Sequence, residues 1–180
     1  MNEETLSSGF FGEDITLDIY TDLKEFYTPA NGFSRLHLCR RYGKLHILKS
    51  LQPFYSSQEF YKQLLLKEFN IGYQLDHPNI RHTLGWEKND LLGNYIVLEY
   101  IDGIPLTTFI EQGKLTQALA YKFITEICNA LQYIHSKQLI HKDLKPNNIL
   151  ITHNGNNVKL IDFGLADCDD YEILKIPAGT

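Results

Sequence analysis

The sequence predicts an α+β domain: a five-stranded antiparallel sheet carrying one helix, then a mostly helical part with a small polar hairpin. Three observations predict it. Between residues 20 and 101, short apolar runs alternate with turn residues, the pattern of strands joined by tight connections. Two stretches, 57–76 and 115–137, instead repeat apolar residues at helical spacing. No internal repeat or low-complexity tract interrupts the order.

The elements follow in sequence. Residues 1–19 have weak periodicity and read as an extension. From Tyr20, the run YTDLKEFYTPANGFSRLHLCRRYGKLHILKSL is broken at Pro29, Asn31-Gly32 and Tyr42-Gly43, so it reads as antiparallel strands with hairpin turns. In SSQEFYKQLLLKEFNIGYQL, Phe60, Leu64, Leu65, Phe69 and Tyr73 fall on one helical face, with Ser57 as the expected cap. Gly72 near its end is a weak point or a site of close packing. Asp76-His77-Pro78-Asn79 stops that helix, and two strands are expected at 80–86 and 95–101, joined by EKNDLLGN. PLTTFIEQGK reads as a short helix. LTQALAYKFITEICNALQYIHSK reads as a long one, with Thr116 as N-cap and a stripe of Leu119, Phe123, Ile127, Leu131 and Ile134. A turn at 153–156 and the strand VKLI precede Asp162-Phe163-Gly164.

Composition narrows the function class. The chain has 180 residues, 43% hydrophobic and 22% charged, enough for one globular core. Its net charge of −5, with no basic cluster, argues against a nucleic-acid partner. Cys39, Cys128 and Cys168 form no CxxC pair and read as free thiols of a reducing compartment. No apolar run reaches the roughly 18 residues of a membrane span, and the acidic start lacks a secretory signal. A soluble, cytoplasmic protein without membrane contact is expected.

HKDLKPNNIL, residues 141–150, packs histidine, lysines, aspartate and asparagines between apolar pairs, and such crowding is costly unless the groups bind something. Followed by a strand and then DFG at 162–164, it resembles the catalytic loop and metal motif of the eukaryotic-type protein kinase family. The resemblance covers roughly residues 20–180 and implies a two-lobed fold, with 20–101 as the small lobe and linker and 102–180 as the first part of the large lobe. It implies ATP and Mg²⁺ as cofactors and a protein Ser/Thr hydroxyl as acceptor. Asp143 would orient the acceptor hydroxyl and take its proton. Lys145, of the Ser/Thr-specific type, would face the transferring phosphate. Asn148 and Asp162 would give oxygens to magnesium. Lys49, in LHILKSL, would grip the phosphates, held by Glu68 of the following helix; the plainer alternative pairs Glu68 with Lys62 or Lys67 in solvent. Leu98 would guard the back of the pocket, the backbones of Glu99 and Ile101 would meet adenine, and Leu36, Ile47 and Leu150 would sandwich it. Asn147 is expected to have no chemical role.

Three departures accompany the resemblance. Pro29, Asn31 and Ser34 stand at the family's three phosphate-loop glycine positions, with Gly32 alone nearby, so a weaker or different phosphate grip is expected. Lys142 replaces the usual Arg and lacks its bidentate fork. After IPAGT, ending at Thr180, no A-P-E motif follows, so a fragment or a truncated kinase is expected, with helix 115–137 left as a surface for association. A nucleotide-binding pseudokinase or interaction module is the alternative reading; a small-molecule kinase is the third.

Overall fold

The computed structural model describes residues 20–28 and 32–166. The extension at 1–19, Pro29, Asn31, Cys168 and the IPAGT end lie outside the described residues.

Five strands form one antiparallel sheet: β1 (Tyr20–Tyr27), β2 (Ser34–Arg41), β3 (Lys44–Leu51), β4 (Thr83–Asn89) and β5 (Gly93–Glu99), in the order β1-β2-β3-β5-β4. The expected turn between β2 and β3 is present. Arg41 pairs with Lys44, and Tyr42 and Gly43 both take positive φ, 49° and 77°, as a two-residue hairpin requires. One face of the sheet buries Leu48, Val97 and Tyr95; the other buries Ile47, Leu65, Ile96 and Leu98 beneath a helix. Leu48 and Ile96 are fully buried, and each such side chain contributes about 1.5–3 kcal/mol.

That helix is α2 (Glu59–Tyr73), which buries Leu64, Leu65, Glu68, Ile71 and Gly72. Ser57 does not cap it. Pro53 nucleates a separate turn, α1 (Pro53–Ser56), and Ser57 closes that turn, so Gln58 occupies the α2 N-cap without a side-chain bond. The β4–β5 hairpin is tighter and shifted from its expected bounds. Asn89 Oδ1 accepts the Leu92 N–H at 2.7 Å, and Gly93 takes φ 68°, so Asp90–Leu92 alone make the turn. Residues 80–82 are not strand; Ile80 instead makes a parallel bridge to Leu160 of the second part of the fold.

The second part holds α3 (Leu106–Glu111), α4 (Gln117–Ser136) and a three-stranded sheet, β6 (Gly103–Pro105), β7 (Ile149–Thr152) and β8 (Val158–Leu160). Thr116 caps α4 as expected, its hydroxyl accepting the Leu119 N–H at 3.3 Å. Phe123, Ala130 and Ile134 bury the α4 stripe, and Leu119, Ile127 and Leu131 pack at its margin. Tyr121 and Ile124 on the other face are exposed. The expected polar hairpin is apolar on one side: Ile149, Ile151, Val158 and Leu160 join the α4 core. Strand β6 is the addition. At Gly103 a Cβ would stand 2.4 Å from the Ile151 carbonyl oxygen, so only glycine lets the two backbones pair there. Among the described residues no helix is long and apolar enough to cross a membrane.

Candidate active site

Lys49 sits on β3 between Leu36 of β2 and Ile96 of β5, its side chain turned toward α2 and buried. Its ammonium donates to Glu68 Oε1 at 2.6 Å and to Asp162 Oδ1 at 3.0 Å. The solvent alternative for Glu68 is excluded by its burial and by this contact; Lys62 pairs with Glu59 instead. Burial alone would lower the Lys49 pKa, but Asp162 and Glu68 overcome it and hold the ammonium above its ordinary range. Lys49, against the cost of burial, holds the Asp162 carboxyl well below the usual carboxylate range. For Glu68, burial dominates and pushes its carboxyl up despite Lys49.

A second group forms on the loop before β7. The Asn148 amide nitrogen donates to Asp143 Oδ2 at 2.8 Å and to the Asp143 carbonyl at 2.9 Å, and Lys145 Nζ lies 2.8 Å from the same Oδ2. Because Asn148 spends its side-chain nitrogen on Asp143, its side-chain oxygen Oδ1 is the group that could face a cation. A 3-10 turn, Pro146–Asn148, carries this residue, and the Asn148 N–H closes onto the Lys145 carbonyl. Asn147 ties the loop to α3 as acceptor for the Thr107 hydroxyl, in keeping with a structural role.

Two contacts join the groups. The Ile161 N–H donates to the Asn148 carbonyl at 2.9 Å, which sets Asp162 beside the loop. The His141 ring packs on Phe163 at 4.9 Å, and His141 Nδ1 accepts the Asp143 N–H at 3.4 Å. Burial lowers the His141 pKa, so the neutral ring serves as an anchor. Lys142 and Asp162 both take left-handed φ, 61° and 67°, a costly conformation for residues with a Cβ.

Leu36, Ile47 and Leu98 share one apolar cluster above the cleft, and Leu150 lies partly buried on β7. The Glu99 N–H donates to the His82 carbonyl, so any bond from this residue to a base must run through its carbonyl. Its carboxylate turns away, to Lys159 at 3.2 Å. Ile101 is buried just beyond. Ser34 opens β2, and the Gly32 carbonyl accepts the Gln52 amide at 2.8 Å, so the described end of the loop is stitched to β3's exit. A cavity of about 520 Å³ opens beside Glu99 and Ile101, between Pro78, Asp102, Glu126 and Lys159, and is lined by none of Lys49, Glu68, Asp143, Asn148 and Asp162.

A family model described as "protein kinase domain" matches residues 32–172. The chain belongs to the protein kinase family. The kinase domain is 37% identical over 122 residues to the serine/threonine-protein kinase PrkC of Bacillus subtilis, covering 66% of this chain and 18% of that protein. It is 41% identical over 118 residues to the serine/threonine-protein kinase RUNKEL of Arabidopsis thaliana, covering 65% and 8%. It is 34% identical over 156 residues to cAMP-dependent protein kinase catalytic subunit 3 of Drosophila melanogaster, covering 83% and 26%. The chain thus spans well under a third of each of these relatives. The five-stranded sheet with α2 beneath it is the small lobe of a kinase fold. One residue of this kinase domain was not foreseen. Arg81 reaches the cavity behind Lys49 and Glu68, and among the polar residues of the segment 77–83 nothing in the sequence singles it out.

Proposed function

We propose that this kinase domain binds ATP with Mg²⁺ and directs the terminal phosphoryl group to a serine or threonine hydroxyl of a protein. The observation that carries the reading is Lys49 held between Glu68 and Asp162 on facing parts of the fold. The donor set fits magnesium: the Asp162 carboxylate and the Asn148 amide oxygen are hard oxygen ligands, and Mg²⁺ takes few protein groups besides phosphate and water. Bound Mg²⁺ would neutralise charge on the phosphates. Lys49 would move from Asp162 to phosphate oxygens while Glu68 keeps it aimed. Asp143, with Oδ2 fixed by Asn148 and Lys145, has Oδ1 left to orient the acceptor hydroxyl and take its proton. Lys145 would add a positive charge beside the transferring group. Leu36, Ile47, Leu98 and Leu150 would cover the base.

The Ser/Thr preference is supported by the serine/threonine-protein kinases among the relatives and by Lys145. The non-glycine residues Pro29, Asn31 and Ser34 in the phosphate loop favour a second reading, a nucleotide-binding module with little turnover. The buried free thiol of Cys39 suits a reducing, cytoplasmic setting. Both readings expect Mg-ATP binding, and they part at turnover. Transfer of radiolabelled phosphate to a generic protein, with Asp143→Asn as control, separates them. We expect the 180-residue chain to bind nucleotide and to label only slowly, and only with Asp143 intact; labelling that is absent or indifferent to Asp143→Asn would overturn the first reading, and rapid Asp143-dependent labelling the second.

A further inference from the structure

Behind Lys49 lies a small cavity walled by Glu68, Gly72, Arg81, Thr83, Leu98 and Phe163. Glu68 Oε1 holds Lys49, but Oε2 is fully buried and has no hydrogen-bond donor. An unmet carboxylate oxygen in such a place is costly. Gly72 keeps the wall thin: a Cβ there would stand 2.3 Å from Thr83 Oγ1, so no larger residue fills the space between α2 and β4. The cation of this cavity is Arg81. Its backbone is fixed, since its N–H donates to the Leu160 carbonyl at 2.9 Å, two residues before Asp162. Lys49 alone contacts two carboxylates, Glu68 and Asp162, one positive charge against two negative ones. Burial lowers the Arg81 pKa, while Asp162, Glu68 and Glu99 oppose that shift.

We propose that Arg81 is a second cation of the site, a positioning residue that holds the free oxygen of Glu68 through one water in the small cavity they share. It thereby keeps α2 seated on the sheet when Lys49 turns to a nucleotide's phosphates. The final step rests on the nucleotide reading above; the Arg81–Glu68 link does not.

A double-mutant cycle on the nucleotide-free 180-residue chain tests the link by thermal unfolding. Arg81→Met lowers the midpoint by about 5 °C in the native background and by less than half of that in Glu68→Gln, and Arg81→Lys recovers most of the loss. Equal losses in both backgrounds, including failure to fold in both, overturn the proposal. Calorimetry with Mg-ADP tests the positioning role. Arg81→Met weakens binding about tenfold and Arg81→Lys by no more than about threefold. Wild-type affinity in Arg81→Met overturns the positioning role. A native chain that does not bind Mg-ADP counts against the functional reading instead, and the cycle still decides the link.

Discussion

Lys49 Nζ lies 2.6 Å from Glu68 Oε1, and this contact ties the third strand of the sheet to the helix beneath it. Both side chains are almost wholly buried. Removing Lys49 therefore strands the Glu68 carboxyl in a dry interior, while removing the Glu68 charge leaves Lys49 with Asp162 as its remaining partner. Lys49→Met is expected to cost about 3–5 kcal/mol in urea unfolding and Glu68→Gln less, while the double variant Lys49→Met with Glu68→Gln costs less than the sum. Additive losses would show that the pair is not a unit.

Gly103 is where the linker after β5 meets β7. An alanine Cβ would collide with the Ile151 carbonyl, an atom of backbone that cannot swing away. Gly103→Ala is expected to destabilise by about 1–3 kcal/mol. An unchanged urea midpoint would mean that β6 and β7 separate without cost.

Much of this arrangement was legible in the sequence, and what was missed has physical causes. The α2 helix could be read because a half-buried helix repeats every 3.6 residues, but of its expected face only Leu64, Leu65 and Phe69 pack inward: Phe60 and Tyr73 at the two ends are exposed, and Ile71 is buried instead. The Tyr42-Gly43 turn could be read because two positive-φ positions leave few residue choices. Strand β6 could not, since three residues carry no period. The start of β4 was misplaced because Ile80 is buried by a bridge to Leu160, a partner 80 residues away, and not by its own strand. Ser57 was misread as a cap because Pro53 starts a helix of its own just before it. Arg81 was overlooked for a related reason: its cavity is assembled from α2, β4, β5 and the segment around Phe163, and no local pattern announces it.

His37, His77 and His141 all have pKa values below the ordinary 6.5, in each case chiefly because burial disfavours the cation. Unfolded, each takes up its proton near 6.5, while the folded chain does so only at lower pH. The unfolded state therefore binds more protons in that interval, and stability rises with pH. The contribution is complete above 6.5 and is lost as pH falls through the folded values. Asp162, whose pKa is also depressed, extends the loss below its ordinary 3.8. The urea midpoint is expected to be lower at pH 5 than at pH 7, and His141→Gln to shrink the difference. A flat profile would contradict the buried, neutral histidines.

Burial pushes the Cys39 thiol up to about 11, whereas Cys128 is exposed on α4. In a Cys168→Ser chain, a thiol reagent at pH 8 is expected to label one site quickly, and Cys128→Ser to remove it. Cys39 is expected to react only on unfolding. Two fast sites would mean that the outer face of the sheet opens.

Lys49, Glu68, Asn148 and Asp162 are proposed to form one magnesium–nucleotide site. Calorimetric titration of the 180-residue chain with ATP, with and without Mg²⁺, tests it most directly, with Asp162→Asn as the comparison. Saturable one-site binding that requires Mg²⁺ and weakens at least about tenfold in Asp162→Asn is the predicted result. Absence of binding, or binding indifferent to both the metal and the substitution, would contradict it.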